Sequence, residues 1–362
     1  MIRPSPTQGK AFARRKILAA ILIALIVGIL GSAFWFLADP NSKSRRAYER
    51  GQYELALRVA IDRLLQRPGD EGAALIAARS LIKMSQPARA ELYFRRAGKH
   101  LSPDDLQDRA YGFVQAGDAE GASTLYHELL SVRPEDPLAL KRMAAIEMSR
   151  QNWPEVQRLA DRLVKTPTGR IAGETLSGIA SHVKRRYREA VIRFERVLEL
   201  DPDLNEMPLP QPRFWSDLAL DLMADGRSDE ARTYLLRAIR RAETAELTEL
   251  LGLSYYQQGS IDEAERCWKR AVELDPQQRD ALLELGRLAL GRRQWADAIA
   301  HFDRVETLDP DSAEAAYGLA QAHRQLGHDE ESRRYQDRSA QLRRLASKPR
   351  TNQGVTRSDI SP

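Results

Sequence analysis

The chain has 362 residues, of which 43% are hydrophobic and 30% charged, and this length indicates two domains or a repeat array rather than one core. Its single cysteine excludes an intramolecular disulfide framework and every metal site that needs two thiolates. The net charge of +5 resides at the ends, since residues 1–38 carry +5, residues 341–362 carry +4 and the body between them carries −4. A slightly acidic body argues against nucleic acid as a partner.

The first predicted element is a transmembrane helix over residues 17–38, preceded by a basic N-terminal tail over residues 1–16. These 22 residues carry no charge, and about 33 Å of helix spans a hydrocarbon core of about 30 Å. Residues 14–16 (Arg-Arg-Lys) border one end of the helix, and residues 34–36 (Phe-Trp-Phe) lie at the other end. The positive-inside rule then places the tail in the cytoplasm and the body on the extracytoplasmic, periplasmic side of a single-pass protein.

A cleaved signal peptide is the second interpretation of the same segment. Residues 31–33 (Gly-Ser-Ala) supply the small side chains that precede a cleavage site. Cleavage there would release a secreted or periplasmic adaptor that is soluble. The apolar run continues beyond Ala33, which favours an uncleaved signal anchor.

From residue 39 onward the sequence predicts short α-helices, because apolar residues recur at spacings of three and four and good helix formers dominate. Glycine and proline interrupt these helices at regular intervals. The same residue types return in three copies, of which the second and third are 34 residues apart: Gly178, Ala190, Phe194 and Pro202; Gly252, Ala264, Trp268 and Pro276; Gly286, Ala298, Phe302 and Pro310. The small residues allow helices to approach closely, the aromatic rings fill the space between them, and proline ends each second helix.

This pattern resembles the tetratricopeptide repeat (TPR) family, whose 34-residue unit is a helix–turn–helix. The resemblance implies an all-α, right-handed α-solenoid of about nine units that follows the transmembrane helix. We expect an N-terminal half over residues 39–204 and a C-terminal half over 212–345, with a disordered tail over 346–362. A Pro-rich insertion loop over 205–211 separates the halves, either as a tolerated surface insertion or as a hinge or partner-contacting loop.

The sequence lacks the usual signatures of catalysis. Metalloprotease, phosphate-binding and nucleophile-elbow motifs are absent from it. His323 and His328 are five residues apart, which predicts different faces of one helix and no two-histidine metal site. Cys267 has no nearby histidine in the sequence and is interpreted as a small structural residue, and the carboxylates are interpreted as solvated helix faces. We therefore expect neither an enzyme nor a bound metal or other cofactor.

The remaining function is binding, and the resemblance implies a concave groove lined by the first helix of each unit. Tyrosine and arginine are the types that most often anchor a partner. The candidate groove residues are Tyr256, Arg287, Tyr317, Arg324, His182 and Met223. The first four lie in the last three units and predict a C-terminal recognition patch. Glu249 stands where relatives that clamp a C-terminal carboxylate would need lysine, which discounts that ligand.

These features together predict a membrane-anchored scaffold or adaptor that binds a protein or peptide in its concave groove. A direct join between the membrane helix and the repeats favours a role in the assembly or regulation of a cell-envelope complex. A weaker alternative from another functional class is a non-catalytic subunit of a transferase, in which the array would carry substrate specificity.

Overall fold

The computed structural model describes residues 41–98 and 101–346. Within these ranges the chain forms eighteen α-helices and no β-strand, which confirms the all-α prediction. The predicted basic tail (1–16), the predicted membrane helix (17–38) and residues 347–362 of the predicted C-terminal tail lie outside the described residues. None of the described helices is long and apolar enough to cross a membrane.

The chain divides into two compact units between Asn152 and Trp153. The first unit contains seven described helices: α1 (Ser42–Glu49), α2 (Tyr53–Gln66), α3 (Glu71–Lys83), α4 (Pro87–Arg96), α5 (Pro103–Gln115), α6 (Ala119–Val132) and α7 (Pro137–Ser149). Each of these helices packs against the next one in sequence, so the unit is a series of helix hairpins followed by α7.

The second unit also consists of consecutive helices that pack against their sequence neighbours. It contains α8 (Trp153–Val164), α9 (Arg170–Val183), α10 (Tyr187–Leu200), α11 (Gln211–Ala224), α12 (Ser228–Arg241), α13 (Ala245–Gln257), α14 (Ile261–Leu274), α15 (Arg279–Gly291), α16 (Trp295–Leu308), α17 (Ala313–Gln325) and α18 (Asp329–Ala346). Five hairpins follow α8, from α9–α10 to α17–α18. We call α9, α11, α13, α15 and α17 the first helices of this unit.

The first helices of successive hairpins contact each other as well as their own partners. In the second unit α9 packs against α11, α11 against α13, and α15 against α17. A stack of hairpins held together in this way is an α-solenoid, in which each repeat touches only its neighbours. The first helices then form a wall along one side of the stack, and this wall is where a binding face can be built.

Glycine lets the two helices of a hairpin approach each other at a buried aromatic ring. A Cβ atom on Gly252 of α13 would lie 2.6 Å from Nε1 of Trp268 on α14, and one on Gly286 of α15 would lie 2.7 Å from Cε1 of Phe302 on α16. Both rings are fully buried. A side chain at either glycine would push its hairpin apart, so the pattern of small and aromatic residues reflects packing between helices.

The alanines and prolines of the repeat pattern lie at matching places in each hairpin. Fully buried alanines occur on the second helices α10, α14 and α16: Ala190, Ala264 and Ala298. Prolines follow the ends of the same helices: Pro202, Pro276 and Pro310. The carbonyl oxygen of each proline accepts a hydrogen bond of 2.6 to 2.8 Å from an arginine on the second helix of the next hairpin: Arg237, Arg304 and Arg338. These bonds join successive hairpins on the side away from the first helices.

The Pro-rich insertion (205–211) lies inside the second unit. Residues 201–210 contain turns and no helix, and α11 begins at Gln211. The Gln211 side chain donates hydrogen bonds of 3.1 Å to the carbonyl oxygens of Asp203 and Leu204, and Leu204 is buried. The insertion is thus fastened to the start of α11, a helix that borders the candidate site.

Candidate functional site

A cavity of about 310 Å³ opens along the first helices of the second unit. It is bordered by α11, α13, α15 and α17, and every helical residue around it belongs to a first helix. Its lining consists of Leu220, Glu246, Glu249, Leu250, Leu253, Gln278, Asp280, Leu283, Glu284, Arg287 and Glu314. We call this space the acidic cavity, because carboxylates from three helices surround it.

The acidic cavity combines an apolar wall with an excess of negative charge. Its apolar part is four leucines from α11, α13 and α15, and its charged part is five carboxylates and one arginine. The guanidinium of Arg287 bonds to Glu284 and lies 2.7 Å from an oxygen of Glu314. This single cation is therefore already shared between two carboxylates, and the remaining acidic groups are not neutralised by it.

Glu249 is the most deeply placed of these carboxylates. Its residue is only 7% exposed, and among the described residues its carboxyl group makes no hydrogen bond or ion pair. Burial raises the pKa of Glu249 to about 8, and the negative charges of Asp280, Glu284 and Glu246 add to the effect. Its oxygens are not among the fully enclosed side-chain atoms that lack a partner, so the carboxyl group reaches the open space of the cavity.

The negative charges of the other carboxylates in the cavity are only partly balanced by arginine side chains. Burial raises the pKa of Glu284, against the lowering effect of Arg287. Asp280 accepts hydrogen bonds of 2.9 and 3.0 Å from Arg279, but that arginine also binds Asp309 at 3.0 Å. The local field is therefore negative, and it favours a positively charged ligand over an acidic one.

A second buried polar cluster lies between α9 and α11. His182 Nδ1 is 2.8 Å from Oδ1 of Asp221, and the other oxygen of this fully buried aspartate has no hydrogen-bond partner. The hydrogen bond to Asp221 raises the pKa of His182 despite its partial burial. Burial raises the pKa of Asp221, against the opposing effect of His182. The wall of first helices is thus polar and acidic over more than one hairpin.

Of the candidate groove residues, the structure places only Arg287 in the acidic cavity. His182 belongs to the cluster between α9 and α11, and Met223 is buried. The ring of Tyr256 packs against Trp268 with centroids 5.6 Å apart, and Arg343 lies over the ring of Tyr317.

Arg324 is exposed near the end of α17. The four residues of the predicted recognition patch therefore do not converge on one cavity.

Several carboxylates differ from the solvated side chains that the sequence predicts. Glu249, Asp217, Asp221 and Glu174 are all buried on first helices. Glu174 is bound by Arg193 of α10 at 2.9 Å, whereas Glu249 is unpartnered. Each of these residues lies on a first helix, and their positions on that helix are the sequence signal that could have identified them.

The prediction for His323 and His328 was wrong in its geometry. The two residues do not share a helix, because α17 ends at Gln325 and Gly327 takes the left-handed conformation with φ of +77°. The chain reverses there and brings the two Nδ1 atoms to 3.1 Å. Within the described ranges, no group of three His, Cys, Asp or Glu residues could hold a metal ion.

Two other features are weaker candidates for a site. Cys267 is half-buried, and burial raises its pKa to about 11, which leaves it a protonated thiol at neutral pH. A cavity of about 230 Å³ lies between α4 and α5 in the first unit. The carboxylate of Glu91 there is already bound by Arg109 at 2.8 and 2.9 Å, so its charge is satisfied within the protein.

Comparison with known proteins identifies the repeats. Residues 216–279, 249–312 and 283–347 match the family model described as tetratricopeptide repeat, and these ranges contain the acidic cavity. No curated protein is similar to the chain in sequence.

Among solved structures, the chain is similar to the C-terminal part of a TPR repeat-containing protein from Cytophaga hutchinsonii, with 16% identity and a TM-score of 0.51 over 68% of this chain and 99% of that one. It is also similar to a tetratricopeptide repeat protein from Parabacteroides merdae, with 18% identity and a TM-score of 0.42 over 65% of this chain and 91% of that one. At such identities the likeness concerns the fold alone.

Proposed function

Because the chain belongs to the tetratricopeptide repeat family, we propose that it is a non-catalytic scaffold that binds a segment of a partner protein along the first helices of its second unit. We further propose that the helix over residues 17–38 anchors it to a membrane, with the repeats on the extracytoplasmic side. There it serves the assembly or regulation of a cell-envelope complex. Nucleic acid and cofactors have no part in this function.

The observation that carries the proposal is the acidic cavity. First helices from four successive hairpins form it, and it combines leucine side chains with carboxylates that lack enough partners. Binding sites typically show this combination of an apolar wall and a few polar groups that fix orientation. An extended polypeptide suits a stack of repeats, because each hairpin can contact a successive part of the segment.

Membrane anchoring is supported by the sequence between the apolar segment and the first unit. The uncharged run ends at residue 38, and α1 begins at Ser42. A tether this short keeps the repeats close to the membrane surface, which raises the effective concentration of partners in the same membrane.

The small residues at 31–33 favour a second candidate, a soluble periplasmic adaptor produced by cleavage. N-terminal sequencing of the mature protein separates the two: a first residue of Phe34 contradicts the anchor, and an intact apolar segment supports it.

The partner-binding proposal is tested by blocking the cavity. Leu220 borders it on α11, and Leu236 lies on the second helix α12, and both are 38% exposed. Leu220→Trp should abolish recovery of partner proteins from detergent extracts by the full-length chain. Leu236→Trp, which adds the same bulk at the same exposure, should leave that recovery unchanged. Recovery of the same proteins by both variants, or of none by the parent chain, would contradict the proposal.

A further inference from the structure

Building on the proposed function, we propose that the acidic cavity holds the side chain of a lysine or arginine from the partner polypeptide. The ligand is thus a positively charged group at the end of an aliphatic side chain. Four observations support it: the size of the cavity, its lining, its charge and the unpartnered carboxyl group of Glu249.

The volume and the apolar lining suit a long aliphatic stem. About 310 Å³ is at the lower end of the range of about 300–1,000 Å³ for ligand pockets, so the cavity accommodates one side chain more readily than a folded element. Four leucines, Leu220, Leu250, Leu253 and Leu283, line it. Lysine and arginine bury their methylene groups against apolar surface of this kind while the charged end reaches a polar partner.

The charge of the cavity selects a cation. Carboxylates from α13, α15 and α17 face a space in which Arg287 is the one cationic lining residue, and that arginine already binds two of them. An acidic or C-terminal carboxylate ligand would add to the repulsion. A guanidinium or ammonium group would gain charge-assisted hydrogen bonds with Glu249, which has no partner, and with acids that now share an arginine.

The position of Glu249 indicates where the cation binds. It lines the cavity, is more than nine-tenths buried and has no partner among the described residues. Burial and three neighbouring acids raise the pKa of its carboxyl group to about 8, which keeps it protonated at neutral pH. A cation beside it would stabilise the carboxylate and release that proton, so this residue is suited to bind a positive group that arrives from outside.

A metal ion is a poorer occupant. The five carboxylates line a cavity of side-chain size, and no three acidic or other ligating residues in the described part of the chain converge closely enough to hold a metal. A divalent cation needs several oxygen atoms within about 2.0–2.6 Å of one point.

The test is selection of peptides from a random phage-displayed library on the immobilised full-length chain. Parallel selections use Glu249→Gln and, as a matched control, Glu263→Gln, which changes a partly exposed glutamate on the second helix α14. The parent chain and the control should enrich peptides with lysine or arginine at one fixed position. Synthetic peptides from the enriched set should bind Glu249→Gln at least tenfold more weakly. Replacement of the basic residue by norleucine should weaken binding to the parent by a similar factor.

Each other outcome is decisive. Enriched peptides without a basic position, or with equal affinity for Glu249→Gln, would overturn the cation assignment and leave the proposed scaffold function standing. Enrichment of no peptide would contradict both. A synthetic peptide of residues 347–362 serves as a further probe, because this segment carries Lys348, Arg350 and Arg357. If it binds in a Glu249-dependent way and competes with the selected peptides, the occupant is the chain's own tail and the assignment to a partner is wrong.

Discussion

Replacing Glu249 by glutamine is expected to stabilise the protein at neutral pH. Burial, reinforced by Asp280, Glu284 and Glu246, raises the pKa of this side chain from its ordinary 4.5 to about 8. The unfolded chain therefore releases the proton near pH 4.5, whereas the folded chain keeps it until about pH 8. The stability that comes from protonated Glu249 is complete below pH 4.5 and is lost progressively as the pH rises to 8.

The magnitude follows from the separation between the two pKa values. One pKa unit corresponds to about 1.36 kcal/mol, so the buried carboxyl group lowers the free energy of unfolding by about 3 kcal/mol at pH 7, where the folded chain still keeps the proton, and by about 5 kcal/mol above pH 8, where a carboxylate is buried. Relaxation around the carboxylate makes these figures upper limits. Glutamine is neutral at every pH and removes the cost, so Glu249→Gln should exceed the parent by up to these amounts and match it near pH 4.

Thermal unfolding of the full-length chain in detergent at pH 4, 7 and 8.5 measures the effect. A change of about 1 kcal/mol shifts Tm by about 2–4 °C for 150–250 residues, so Glu249→Gln should raise Tm by up to about 6–12 °C at pH 7. Glu128→Gln on α6 is the control, because this exposed residue, which does not line the cavity, should change stability by less than about 0.5 kcal/mol. A shift that is equal at pH 4 and 8.5, or a loss of stability at pH 8.5, would refute the reasoning.

Four further substitutions test the packing and the charge pairs. Gly252→Ala should lower the free energy of unfolding by about 1–3 kcal/mol, because the added Cβ would overlap the aromatic ring beside it. Gly291→Ala should raise the free energy of unfolding by about 0.5 kcal/mol, because a Cβ there would have no atom within 4 Å. Urea unfolding measures both. Asp105→Asn should cost about 2–3 kcal/mol in the same assay, because this buried carboxylate binds an arginine at 2.6 and 2.8 Å. Asp221→Asn should lower the pKa of His182, as followed by NMR titration, because their hydrogen bond is the main cause of its raised value.

Each of these expectations has an outcome that contradicts it. Equal effects of the two glycine changes would show that close approach of the helices is not what the glycine provides. A neutral effect of the Asp105 change would show that its bonds with Arg79 are replaced by water at no cost. An unchanged pKa of His182 would mean that Asp221 does not hold the imidazolium.

The helical repeats were predictable because they depend on geometry within about 34 residues. A glycine on one helix and an aromatic ring on the next, as in Gly286 and Phe302, are required wherever a hairpin packs closely, and the sequence carries that requirement at a fixed spacing. Proline after the second helices α10, α14 and α16 is a local signal of the same kind. Such signals need no knowledge of distant residues.

The acidic cavity was not predictable from local patterns. Glu246 and Glu314 are distant in sequence, and only the stacking of hairpins brings both to one space. In the sequence their carboxylates look the same as those on solvated faces. The tyrosines of the predicted patch do not line this cavity: Tyr256 packs beside the Trp268 ring of its own hairpin and remains 47% exposed, so its contact with a partner stays a prediction.

The division of the chain between Asn152 and Trp153 also lacked a local signal. The three residues that separate α7 from α8 look like any other turn within a hairpin. The sequence predicted the separation of the two halves at the Pro-rich insertion instead. This insertion lies inside the second unit, where Gln211 fastens it.

The central claim, that the wall of first helices is where a partner polypeptide lies, is tested most directly by photo-crosslinking in living cells. A photoreactive amino acid is placed in the full-length chain at Leu220, on the cavity side, or at Leu236, on a second helix with the same 38% exposure. The account predicts a crosslinked protein from position 220 that is absent from position 236 and is reduced by Glu249→Gln. Crosslinks from position 236 alone, or none from position 220, would contradict it.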